Sequence, residues 1–132
     1  MTAKTAAAKL LVKPGTAVWV SDAAHRPLVE PLPEGARHAE DLAEAGVAVV
    51  FAADAAAARD LLGRHRAGLA APGVLWVAYP KGNRSDINRD TLWPIAGEYG
   101  LRPNGQVAID EVWSALRFRP LKEGEAPFTG GR

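Results

Sequence analysis

Three short apolar runs limit what this chain can fold into: Val18 to Val20, Val47 to Ala53 and Val74 to Tyr79. None alternates apolar with polar residues, and each is short, which is how strands buried on both faces read. Between them lie Ala-rich segments punctuated by Gly and Pro. Parallel strands need long crossover connections, usually helical. The pattern therefore predicts an α/β domain. It would be a Rossmann-like three-layer sandwich, with a mostly parallel sheet and a C-terminal hairpin that adds one antiparallel strand.

The element boundaries follow from the same signals. Residues 5–12 read as a short Ala-rich helix stopped by Lys13-Pro14-Gly15. Strands are expected at 16–23, 47–53 and 72–80, helices at 36–46, 54–70 and 91–100, and a closing hairpin of 106–110 and 113–119. Residues 24–35 hold three prolines and suit no regular element beyond an edge strand at Leu28-Val29-Glu30. Residues 1–120 are expected to form a single domain, and 121–132, polar and rich in Gly and Pro, a flexible tail.

Composition narrows the function classes. With no cysteine, disulfides, thiolate metal sites and cysteine nucleophiles are excluded. A net charge of +1 gives no global pull toward nucleic acid or anionic lipid. The first 15 residues are interrupted by Lys4, Lys9 and Lys13, so they do not read as a secretory leader. Nothing approaches the ~20 apolar residues of a membrane span. The expectation is a cytoplasmic protein with neither nucleic-acid nor membrane partners. His25, His38 and His65 lack metal-ligand spacing, so no metal site is expected.

Two resemblances bear on the fold. Leu10 to Val20 (LLVKPGTAVWV) is similar to the approach to strand one of Rossmann-like methyltransferases. Leu69 to Lys81 (LAAPGVLWVAYPK) is similar to their fifth strand, and the terminal hairpin to their sixth and seventh. That family implies a glycine-rich turn after strand one, where the backbone approaches the cofactor. Here the position reads Ser21-Asp22-Ala23-Ala24-His25-Arg26-Pro27, and no glycine occurs between Gly15 and Gly35. The resemblance thus implies the fold without the cofactor loop, and no cofactor is expected. The stretches Trp76 to Asp90 (WVAYPKGNRSDINRD), Gly100 to Pro103 (GLRP) and Val107 to Pro120 (VAIDEVWSALRFRP) carry a second resemblance, to a family of small bacterial proteins of unknown function. It covers most of the chain and is specific from Leu75 to Pro120. It implies a fold and carries over no activity or site.

In open α/β sheets, ligands bind outside the carboxyl ends of the parallel strands. Those ends hold Asp22, Asp54 and the stretch Tyr79-Pro80-Lys81, and the hairpin turn would bring Asp110, Glu111, Trp113 and Ser114 to the same edge. Asp86, Asn88 and Asp90 suit the start of the next helix as caps and dipole partners, with Pro94 in its first turn. Lys81-Gly82-Asn83-Arg84 is left over. A Gly and an Asn between two cations can present backbone amides to an anion, although no P-loop ending follows.

The candidate rim is Asp22, Tyr79, Lys81, Arg84, Asp110, Glu111, Trp113 and Ser114, with Lys81 and Arg84 as anion contacts and Trp113 as an apolar wall. The reading is a non-catalytic binding or regulatory domain for an anionic small molecule. One alternative is a divergent methyltransferase-like enzyme acting on a nucleotide-like or acidic substrate, with Asp110 or Asp22 as acid/base. The other is a homodimeric interaction module without ligand.

Overall fold

A computed structural model describes residues 5–82 and 85–120, with Arg89 described by its backbone alone. The sequence expectations for Arg84 and for the tail at 121–132 fall outside these residues.

Six strands form one sheet: β1 (Ala17–Val20), β2 (Arg37–His38), β3 (Val47–Phe51), β4 (Val74–Pro80), β5 (Leu101–Ala108) and β6 (Trp113–Pro120). Their order is β2-β1-β3-β4-β6-β5. The first four pair in parallel, while β6 is antiparallel to both β4 and β5. Strand β5 therefore runs in the direction of β4, and β6 is the one reversed strand. This is the Rossmann-like α/β architecture that the apolar runs imply.

Both faces of the sheet are covered. Helices α2 (Ala55–Arg64) and α3 (Arg89–Gly97) pack on one face, burying Ala58, Leu62, Leu92 and Ile95 against Leu75, Val77, Leu116 and Phe118. On the other face, α1 (Ala6–Lys9) and a 3-10 helix at Ala23–Val29 bury Ala7, Leu10 and Val29 against Val18, Val49, Trp76 and Ala78. All five residues of β3 are buried, as expected of a central strand without polar alternation. The Trp76 indole N–H donates to Leu10 O at 2.9 Å, tying the end of α1 to β4.

Four expectations need correction. Residues 36–46 do not form a helix but the two-residue strand β2 and a 3-10 turn at Leu42–Glu44. Only eight residues separate β2 from β3, and a parallel crossover with a full helix needs a dozen or more. Leu28-Val29-Glu30 is not an edge strand, because Asp22 caps a 3-10 helix whose Val29 is buried in the core. Strand β5 begins at Leu101, five residues before the expected start, and passes Pro103 and Gly105 through a register shift. An outer strand tolerates the missing proline N–H. Finally, α3 starts at Arg89, so Pro94 lies beyond its first turn.

Candidate functional site

The alternation of residues along β4, β5 and β6 decides which side chains share a face. Tyr79 is on the same face as Leu75 and Val77, the face covered by α2 and α3. Its cross-strand partner is Ser114, which in turn pairs with Ala108, while Gln106 pairs with Leu116. Helix α3 covers Leu116 and Phe118 but starts too far along to cover the small residues Ala108 and Ser114. The uncovered patch is an open cleft of about 660 Å³.

Its walls are Tyr79, Pro80, Lys81 and Gly82 from the end of β4, Asn88 before α3, Gln106 to Ala108 of β5, and Ser114 of β6. Gly82 has φ +71°, so the turn out of β4 uses a conformation that glycine adopts without strain. The Lys81 backbone N–H donates to Val112 O at 2.8 Å, which anchors this turn to the hairpin. Among the described residues the Lys81 side chain makes no ion pair.

The floor is a short polar chain. Tyr79 and Ser114 are buried, at 5 % and 6 % exposure, and buried polar groups need partners. The Gln106 amide nitrogen donates to Tyr79 Oη at 3.1 Å and to Ser114 Oγ at 3.4 Å. The Ser114 hydroxyl donates to Val107 O at 3.1 Å. At the far wall, Asn88 Oδ1 accepts from the Asp90 and Thr91 N–H groups at 2.9 and 3.0 Å, and Thr91 Oγ1 accepts from Asn88 N–H at 2.8 Å. This capping box directs the N-terminus of the nine-residue α3 toward the same region.

Of the eight rim residues expected from sequence, Tyr79, Lys81 and Ser114 line the cleft. Asp110 does not, because its carboxylate closes the hairpin turn, accepting from Val112 and Trp113 N–H at 2.8 and 2.7 Å. Asp22 is likewise occupied, accepting from Ala24 N–H at 2.9 Å. Glu111 is exposed and makes no ion pair among the described residues. Trp113 lies on the opposite sheet face, edge-on to Phe51 and His25 with ring centroids 5.1 and 5.3 Å away. Arg84 lies outside the described residues.

Two further carboxylates are structural. Asp54 caps α2 through Ala57 N–H, and Asp86 reaches back to Ala55 N–H at the same terminus, both at 2.8 Å. No carboxylate lines the cleft among the described residues, and no group of three metal-ligating side chains occurs among them. The histidines are half-buried and not simply on a polar surface. His25 stacks on Phe51 at 4.6 Å, His38 bonds Glu30 at 3.0 Å, and His65 meets Trp19 edge-on at 4.8 Å.

Sequence reasoning missed Gln106 as a site residue and took Asn88 only as a cap. Gln106 was legible in principle. It alternates with Ala108 along one strand, so any register placing Ser114 on the rim carries Gln106 with it.

No protein-family model matches the chain, and no curated protein matches it. Solved structures do. The chain is similar to Sp1610 of Streptococcus pneumoniae, provisionally assigned as a tRNA (m1A22) methyltransferase, at a TM-score of 0.55 and 13% identity. That match covers 86% of this chain and 67% of the other. A protein of the NADB-Rossmann superfamily from Streptococcus agalactiae superposes at TM-score 0.53, with 10% identity over 91% of this chain and 69% of its own. An uncharacterized protein from Listeria monocytogenes serotype 4b reaches 0.57, with 13% identity over 97% and 72%. At this identity the likeness is one of fold: the chain has a Rossmann-like sheet.

Whether such a fold holds a methyl donor depends on the crevice between β1 and β3, where the strand order reverses. Here that crevice is laced shut. Ser21 N–H donates to Val49 O at 3.0 Å, and Phe51 N–H donates to Ser21 Oγ at 2.9 Å. The 3-10 helix that follows lays His25 onto Phe51 and Trp113. With no glycine to let a ligand approach the backbone, these residues do not fit S-adenosylmethionine.

Proposed function

We propose that the protein is a non-catalytic binding domain that holds an anionic small molecule in the cleft beyond β4. The observation that carries this reading is Lys81, a cation without an ion pair among the described residues, on the wall of a cleft with no carboxylate. The start of α3 adds a favourable dipole for a negative charge. Arg84, two residues past Gly82, is a second candidate contact. The apolar contribution comes from Pro80 and Ala108, and a few convergent polar groups on such walls are the usual composition of a ligand site.

The methyltransferase-like alternative is favoured by the fold alone. Its proposed acid/base residues, Asp110 and Asp22, are occupied by backbone N–H groups away from the cleft. A homodimer would most simply use the outer strand β5, but Pro103 and the register shift beside it are features that deter edge pairing.

A thermal-shift screen with nucleotides, S-adenosylmethionine and phosphorylated metabolites tests the reading. A ligand at a hundred times its Kd adds about 2.7 kcal/mol of stability. Phosphorylated or carboxylated compounds should raise the melting temperature, and Lys81→Met should remove the effect. A shift with S-adenosylmethionine alone would favour the enzyme.

A further inference from the structure

The polar chain on the cleft floor fixes what it can offer a ligand. Each hydroxyl has one hydrogen to donate, and each amide nitrogen has two. Ser114 spends its hydrogen on Val107 O, so toward Gln106 it can only accept. Gln106 must therefore turn its nitrogen, not its oxygen, toward Ser114 and Tyr79, and both amide hydrogens are used. Two groups are left over. The Tyr79 hydroxyl, already accepting from Gln106, has a hydrogen with no acceptor among the described residues. Gln106 Oε1 has no donor among them.

A free donor and a free acceptor thus stand next to each other, held by residues that themselves line the cleft. Tyr79 is locked by burial, and the exposed Gln106 amide is locked by its two bonds, so the pair is preorganised. Such a pair is complementary to a cis-amide edge, in which a C=O and an N–H lie side by side in one plane. Beside it the cleft carries the small side chains of Ala108 and Ser114, leaving space for a flat ring.

We infer that the cleft takes a planar ring with a cis-amide edge, such as a pyrimidinedione or other lactam, joined to one anionic group. Tyr79 donates to the ring carbonyl, Gln106 Oε1 accepts from the ring N–H, and Lys81 meets the anion. This inference rests on the anion-binding reading above and specifies the remainder of the ligand.

Calorimetric titration of the full chain tests it with two amide-edged anions, uridine 5′-monophosphate and orotate. Their matched controls, ribose 5-phosphate and benzoate, carry the anion without the edge. At least one amide-edged compound should bind about tenfold tighter than its control, as one net hydrogen bond implies. Which of the two does so tells whether Lys81 takes phosphate or carboxylate. Tyr79→Phe and Gln106→Met should each abolish the preference, so that the amide-edged compound binds no tighter than its control. A melting curve for each variant verifies that it is folded. Equal affinity for each compound and its control, or a preference that survives both substitutions, overturns the amide-edge inference and leaves the anion reading standing. No binding by any of the four compounds overturns both.

Discussion

The carboxyl end of this sheet carries two crevices with opposite fates. Between β1 and β3, where an open α/β sheet ordinarily receives its ligand, Ser21 bonds across to the neighbouring strand and His25, Phe51 and Trp113 pack together. Two strands away, where β4 meets the hairpin, the sheet edge is open, and Lys81, without an ion pair among the described residues, stands beside it. The first crevice is filled because the chain turns out of β1 through a capped 3-10 helix lacking glycine. The second is open because α3 starts beyond it and because Ala108 and Ser114 are too small to fill it. One edge of a sheet can thus be closed at one crevice and concave at another.

Substitutions can break this contrast. The largest effect should come from Phe51→Ala, since Phe51 is 4 % exposed and touches both aromatic partners in the closed crevice. Truncating a packed Phe costs about 3–5 kcal/mol, to be read as a lower urea midpoint. A cost under about 1 kcal/mol would mean the crevice is loosely filled. Lys81→Met should behave in the opposite manner. Stability should stay within about 0.5 kcal/mol, because the side chain has no ion pair among the described residues. Affinity for an anionic ligand should fall at least tenfold, or about 1.4 kcal/mol, in a calorimetric titration.

Asn88→Ala touches the open cleft through its frame. Loss of the capping interaction should cost about 1 kcal/mol in chemical denaturation. The smallest effect concerns His65, packed edge-on to Trp19 of β1. Burial, and secondarily the Arg64 charge, hold its pKa below the usual 6.5, with Asp60 opposing. The unfolded chain then takes up the proton first. Stability is therefore fully present above pH 6.5 and declines as pH falls from there toward the lowered folded value. Below that value the contribution is flat. The urea midpoint of the native chain, compared with His65→Gln, should diverge in that window and nowhere above it.

Much of the fold was legible because buried strands announce themselves. The apolar runs within 47–53 and 72–80 left little choice, and with the hairpin they imply the sheet. What was hidden lies where local signals and tertiary demands compete. Residues 36–46 look helical by composition, yet the short span back to β3 leaves room only for a turn. Pro103-Asn104-Gly105 looks like a loop, yet it is carried as an irregular outer strand. That Tyr79 and Lys81 line the cleft followed from topology alone. The fate of Asp22 and Asp110 did not, because whether a carboxylate faces a ligand or its own backbone depends on turn geometry. Trp113 was placed at the correct edge, but one-residue alternation puts it on the face opposite Ser114.

Ligands are expected to meet the β4–hairpin cleft and not the β1–β3 crevice. A two-dimensional amide NMR titration with uridine 5′-monophosphate and, separately, S-adenosylmethionine tests this directly. Saturable shifts are expected at Lys81, Gly82, Gln106 and Ser114 with the nucleotide, and none at Ser21 to His25 or Phe51 with either compound. Saturable shifts at Ser21, His25 and Phe51 on adding S-adenosylmethionine would contradict that expectation.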